Sequence, residues 1–120
     1  MATILIVDDS PTEMHVIRSL LESNGFTTVS AMDGEEALRV ARAEQPDLIL
    51  MDVVMPGMNG FQATRELARD PATSKIPVIM VTTKDQDTDR AWGMRQGAKD
   101  YVVKPFSKAD LLGKIGRFIE

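Results

Sequence analysis

Cysteine is absent from this chain, and histidine, tryptophan and tyrosine occur once each. No disulfide framework is therefore possible, and none is needed, because a chain of 120 residues buries roughly two thirds of the surface it exposes when unfolded. The missing cysteine agrees with a reducing compartment. No apolar run approaches the ~20 residues that cross a bilayer. The amino terminus has no basic region, and its apolar run is broken by Asp8 and Asp9 too soon for a signal peptide. A cytoplasmic location is expected. Basic residues are outnumbered, giving a net charge of −4, which argues against a nucleic-acid binder because such proteins draw most of their affinity from basic surface. Internal repeats, low-complexity tracts and a glycine-rich phosphate loop are also lacking.

What is present alternates between strand-like and helix-like segments five times. Ile4 to Val7 is a short apolar strand. Ser10-Pro11-Thr12-Glu13 then offers an N-cap serine, a proline at the first helical position and a glutamate three residues on, the signature of a capping box. Met14, Ile17, Leu20 and Leu21 repeat at helical spacing until Asn24-Gly25 stops the helix. Phe26 to Ser30 reads as a less apolar strand, suited to an edge. Asp33-Gly34-Glu35-Glu36 is a second capping box, opening a helix with Ala37, Leu38 and Ala41 inward until Pro46.

Leu48 to Met51 is apolar throughout and ends in Asp52, the pattern of a strand buried on both faces in a parallel sheet. A third helix is predicted from Asn59 to about Arg69, a fourth strand from Pro77 to Val81, and a fourth helix from about Gln86 to Gln96, interrupted by Gly93 and stopped by Gly97. Tyr101 to Val103 forms the last strand. Ser107 to Asp110 caps a last helix carrying Leu111, Leu112, Ile115, Phe118 and Ile119. This order is (βα)₅, hence an α/β domain, doubly wound, with a five-stranded parallel sheet and right-handed crossovers.

Parallel strands place whatever follows each of them along one sheet edge, where ligands bind in open α/β folds. That edge collects Asp8 and Asp9 after the first strand, Asp52 after the third, Thr82 after the fourth and Lys104 after the fifth. Three acids held together repel unless a cation joins them. With cysteine and a nearby histidine missing, a hard oxygen-binding ion is indicated, and Mg²⁺ suits a few carboxylates plus a phosphate. Lys104 and Thr82 suit phosphoryl oxygens, and a carboxylate is a competent phosphoryl acceptor.

Asp8-Asp9, Asp52, Thr82, Tyr101 and Lys104-Pro105, in this order and strand context, resemble the receiver domain of bacterial two-component response regulators. The resemblance runs from Ile4 to Ile119. It implies the flavodoxin-like (CheY-like) sheet with strand order 2-1-3-4-5. Ile6 to Met14, Asn59 to Arg65 and Thr82 to Gln86 are similar to the regulators of type IV pilus twitching motility in particular. In such a receiver Asp52 accepts a phosphoryl group from a CheA-like histidine kinase. Asp9 binds Mg²⁺ directly, Asp8 mainly through water, and Asp52 and the backbone carbonyl of Val54 complete the protein ligands. Lys104 pairs with the phosphoryl group, Thr82 moves to hydrogen-bond it, and Tyr101 turns inward to fill the space left.

Because the chain ends at Glu120 straight after the last helix and leaves no linker, a stand-alone receiver over residues 1–120 with no output domain is expected, a monomeric phosphoacceptor and not an enzyme. Its downstream protein target would meet the fourth helix, fifth strand and fifth helix. Neither nucleic acid nor a membrane is an implied partner. The Lys104-Pro105 bond is expected to be cis, the arrangement tolerated before proline. Thr83 departs from the pattern, since receivers more often carry alanine or glycine there, and a larger residue narrows access to Asp52. A Mg²⁺-dependent phosphotransferase or phosphatase with an aspartyl-phosphate intermediate is the alternative, but it calls for a cap insertion that no connection is long enough to supply. His15 reads as a solvated surface histidine, and the eight methionines as core filler. From Lys84 to Ile119 eight basic residues face five acidic ones, a tilt that could dock an acidic partner. Trp92 falls in the fourth helix and is expected to report packing changes beneath it.

Overall fold

The computed structural model describes residues 2–119. Its elements, in chain order, are β1 (Thr3–Val7), α1 (Pro11–Ser23), β2 (Thr27–Ala31), α2 (Gly34–Glu44), β3 (Leu48–Met51), α3 (Gly60–Arg69), β4 (Val78–Thr82), α4 (Asp87–Gln96), β5 (Asp100–Val103) and α5 (Lys108–Ile115). All neighbouring strands pair in parallel, in the order β2-β1-β3-β4-β5. This is the doubly wound, flavodoxin-like sheet. The less apolar β2 lies at one edge, as its composition implies.

Apolar runs in β1, β3 and β4 are explained by cover on both faces. Alternate residues point to opposite sides. Leu5, Val7, Ile49, Met51, Met80 and Tyr101 join Ala37, Ala41, Ala63 and Leu67 in one core layer. Ile4, Ile6, Leu48, Leu50, Ile79, Val81 and Val102 meet Met14, Ile17, Leu21, Leu111 and Ile115 in the other. Helices α2 and α3 therefore cover one face and α1 and α5 the other.

Helix starts follow their capping signals with instructive differences. At α3 the reciprocal box is closed: Gln62 N–H donates to Asn59 Oδ1 at 2.9 Å and Asn59 N–H donates to Gln62 Oε1 at 3.0 Å. At α1 only half forms, with Glu13 N–H donating to Ser10 Oγ at 3.3 Å, while Ser10 N–H donates to Asp8 Oδ1 at 2.9 Å. The Glu13 carboxylate is engaged elsewhere. At α2, Glu36 Oε1 accepts from Met32 N–H, one residue before the expected partner. The last helix stops at Ile115, earlier than its apolar spacing predicts. Gly113 and Gly116 lower its helical propensity, and Phe118 and Ile119 pack on the core from the turn beyond. Four methionines (14, 51, 55 and 80) are buried, but Met32 and Met94 are exposed, so the core-filler reading holds for part of the set.

One glycine is required by close approach. A Cβ on Gly60 would collide with the backbone of Asp52 and Val53, because the chain returns from the loop after β3 to start α3 against it, with Gly60 N–H donating to Val53 O at 3.0 Å. Gly113, on the exposed side of α5, has no atom within 4 Å of that position. Gly60→Ala is therefore expected to cost about 2 kcal/mol by overpacking. Gly113→Ala should gain roughly 0.5–1 kcal/mol from helix propensity. Urea unfolding midpoints of the two variants, read against the wild type, check the opposite signs.

Candidate functional site

Ladder hydrogen bonds carry each strand's register one residue past its end. Asp8 N–H donates to Ala31 O at 3.1 Å, Asp52 N–H to Val7 O at 3.0 Å and Lys104 N–H to Thr82 O at 2.8 Å. Three chain segments far apart in sequence are thus fixed side by side at the carboxyl edge of the sheet. Asp8 and Asp52 are buried, Asp9 is exposed at the rim, and one carboxylate oxygen from each lies within 4.8 Å of the others.

Lys104 crosses this cluster. Its Nζ lies 2.7 Å from Asp8 Oδ2, 2.7 Å from Glu13 Oε1 and 3.6 Å from Asp52 Oδ2. Burial alone would lower the lysine's pKa, but the hydrogen bonds to Asp8 and Glu13, together with the negative charges of Asp52 and Asp8, outweigh it and hold the ammonium form above its usual range. Asp52 moves upward as well, chiefly because burial disfavours its charge. Lys104 opposes that shift, the negative Asp8 reinforces it, and the neighbouring Thr82 hydroxyl and the hydrogen bond from Val53 N–H offset part of it. The carboxylate is oriented from behind: Val53 N–H donates to Oδ1 at 2.7 Å, and Val54 N–H approaches the same oxygen at 3.4 Å. Oδ2 is left facing Lys104.

Thr82 is fully buried at the end of β4, its Oγ1 accepting from Lys84 N–H at 3.4 Å. Tyr101 already points inward, and its hydroxyl donates to Lys84 O at 2.7 Å. Burial, with Asp89 adding and Arg90 opposing, pushes that hydroxyl up to about 12. Thr82 and Tyr101 therefore grip the same residue, one through its N–H and the other through its C=O. Val54 is exposed in the loop after β3 and shares a hollow beside Asp52 with Met55, Asn59, Phe61 and Lys84. The Lys104-Pro105 bond is cis, and Thr83 is exposed at the rim. His15 lies on the exposed side of α1, outside this cluster.

Two placements differ from expectation. Glu13 reads locally as a capping residue, but it reaches across to the lysine and becomes a further anion on it. No local signal marks that role, because the lysine lies 91 positions further along the chain. Trp92 lies on the outside of α4, 46% exposed, while Gly93 turns toward Met80, Phe61 and Tyr101. Gly93 is thus a packing contact, and the packing beneath the helix excludes the indole.

Chemically, three convergent carboxylate oxygens of hard-donor character fit a divalent metal ion, with Lys104 beside them to balance an anion. Among the described residues no helix is long and apolar enough to cross a membrane.

Comparison with known proteins agrees with this geometry. Residues 4–116 match the response regulator receiver domain family. The chain is 57% identical to protein PilH of Pseudomonas aeruginosa, across 96% of this chain and 95% of that one. It superimposes on chemotaxis protein CheY4 of Vibrio cholerae with a TM-score of 0.93 at 33% identity, covering 99% of each chain. It also matches the receiver domain of a Pseudomonas aeruginosa sensor histidine kinase, which holds a magnesium ion in its active-site cleft; the TM-score is 0.91 at 35% identity, over 98% of this chain and 97% of that one.

Because the folded-state pKa of Asp52 is raised, its protonated form is favoured by folding. That contribution is fully present below the ordinary aspartate range and is lost as pH rises through the raised value. In metal-free buffer at pH 7, Asp52→Asn should therefore unfold at a higher urea concentration than wild type. The advantage should shrink on acidification and disappear below the ordinary aspartate range. Equal midpoints at both ends would contradict the assignment.

Proposed function

The chain belongs to the response regulator receiver domain family, and on that premise we propose that it is a phosphorylation-switched signalling receiver whose acceptor is Asp52. The observation that carries this reading is the approach of Lys104 Nζ to Asp8 Oδ2 and Asp52 Oδ2 within a cluster of three carboxylates. In the proposed step, Asp52 Oδ2 attacks the phosphorus of a phosphohistidine on a histidine kinase. The new P–O bond replaces the P–N bond, and the imidazole leaves and takes up a proton from solvent. Val53 N–H holds the other carboxylate oxygen, so the nucleophile is oriented before the donor arrives.

Asp8, Asp9, Asp52 and the Val54 carbonyl are the residues we assign to Mg²⁺, which when bound supplies charge neutralisation for the phosphoryl oxygens. Lys104 would leave its carboxylate partners and pair with the phosphoryl group. A Thr82 hydroxyl turned toward that group would release Lys84 N–H, the residue whose carbonyl Tyr101 also holds. Loss of one grip loosens the other, which would carry the change to α4 and β5. A protein target at the α4, β5 and α5 face would read it. This role is that of a phosphoacceptor and not of a turnover enzyme. The similarity to PilH supports a pilus-related signalling role; a chemotaxis-like pathway controlling twitching motility, with a CheA-like kinase as donor and one receiver unit over residues 1–120, is the reading we attach to it.

With Mg²⁺ and acetyl phosphate, one phosphoryl group should appear on the wild type and none on Asp52→Asn, read by intact mass. Labelling that persists in the variant, or that maps to His15, would sink the assignment.

Phosphoryl lifetime depends on whether a side chain can hold a water in line behind the phosphorus. Val54 and Lys84 share the hollow beside Asp52, and neither valine nor a lysine ammonium can accept a hydrogen bond from that water. The double variant Val54→Asn, Lys84→Glu should lose its phosphoryl group faster than the wild type by about tenfold or more. Identical decay of label in the two proteins would show the argument wrong.

A further inference from the structure

Helices α3 and α4 pack side by side, and their outer seam brings Arg65, Ala68 and Arg69 opposite Trp92, Arg95 and Gln96 around an open groove of about 390 Å³. Among the described residues none of the three guanidinium groups forms an ion pair. The adjacent Asp70 is taken by Arg42 at 2.6 Å, and Glu66 lines the adjoining hollow toward Met58, which Arg65 and Arg69 also border without an ion pair to it. Arg69 and Arg95 sit in the last turns of α3 and α4, where helix carbonyls favour a cation, but Arg65 is one turn earlier and has no such reason to be there. Arg65 and Arg69 are also spaced four apart, where like charges repel.

In a chain whose net charge is −4, this is a local concentration of the opposite sign. Its one large apolar surface is Trp92, 46% exposed, although burying an indole is among the larger stabilisations a side chain can offer. Arginine and tryptophan together are the residue types that concentrate binding energy at protein interfaces.

We propose that the α3–α4 groove docks an acidic segment of a partner protein, its carboxylates paired with Arg65, Arg69 and Arg95 and one of its apolar side chains laid against Trp92. Charge complementarity selects this occupant. A nucleic acid would meet only three cations on a molecule that repels it overall. The groove opens on the α3 side of α4, away from the face assigned above to the phosphorylation-dependent target, and it is formed without any phosphoryl group.

Trp92 is the only tryptophan, so it reports its own groove. The unphosphorylated full chain would be titrated with a synthetic glutamate–leucine peptide, and in parallel with a lysine–leucine peptide, inorganic phosphate and a single-stranded oligonucleotide. A saturable change in Trp92 emission is expected with the acidic peptide alone. Its midpoint should weaken about tenfold in the Arg65→Glu, Arg95→Glu double variant and weaken further with added salt. Amide shift mapping on the wild type should cluster on α3 and α4, which keeps the test independent of how the variant folds. No saturable change, an equal response to the lysine peptide, insensitivity to charge reversal, or shifts clustered elsewhere would overturn the proposal. A response to phosphate alone, or a stronger one to the oligonucleotide, would overturn it in favour of a phosphate ligand. Neither result bears on whether Asp52 accepts a phosphoryl group.

Discussion

One lysine, its side chain only 8% exposed, makes the functional edge of this protein possible. Asp8 and Asp52 are withdrawn from water beside each other, an arrangement that like charges resist and that burial makes costlier. Lys104 offsets it, at 2.7 Å from one carboxylate and 3.6 Å from the other. The compensation is incomplete, since Asp52 still sits above its ordinary pKa. A site left with an unbalanced negative charge is prepared for a cation, and a lysine shared among three carboxylates is prepared to exchange one of them for a stronger anion. Glu13 belongs to this balance. It is half-exposed, so its direct energetic weight is small, but it gives the lysine an alternative partner on the solvent side.

The surroundings of the cluster are rigid where orientation matters and light where movement would occur. Asp52 is held by the Val53 amide and by the tight return of the chain at Gly60, which brings the α3 terminus against its carbonyl. On the β4 side the restraint is a pair of hydrogen bonds converging on one exposed residue, Lys84. The longer bond, 3.4 Å from Lys84 N–H to Thr82 Oγ1, is weak by geometry; the shorter, 2.7 Å from Tyr101, is strong. A rearrangement would break the first at little cost and then act on the second.

Helix α4 has two different sides. Gly93 and Gln96 are its buried positions, and Gly93 lets the helix approach Tyr101 and Met80 without an intervening side chain. Arg90 lies over the Tyr101 ring, 5.1 Å from its centroid. Trp92 and Arg95 face the α3 seam instead. A helix with so little apolar surface of its own is held mainly by what its neighbours present to it.

The sequence by itself determined the (βα)₅ order, the parallel sheet and the identity of Asp8, Asp9, Asp52, Thr82 and Lys104 as edge residues. Strand periodicity, capping signals and the rule that parallel strands share one carboxyl end are local or topological, and need no coordinates. It also carried the family resemblance that membership in the receiver family confirms. Only the tertiary structure decided which partners those residues choose. Glu13 could cap its own helix or reach Lys104, and the outcome depends on a lysine that lies 91 positions further along the chain, brought near by the sheet register. Gly60 reads as an ordinary helix start until the Asp52 carbonyl is found against it. The face taken by Trp92 was illegible because the apolar residues of α4, Ala91, Trp92 and Met94, fall in one short cluster and not at helical spacing, so no apolar period marks its inward side. In each case the deciding energy is a contact between segments distant in sequence, and such contacts exist only once the chain has folded.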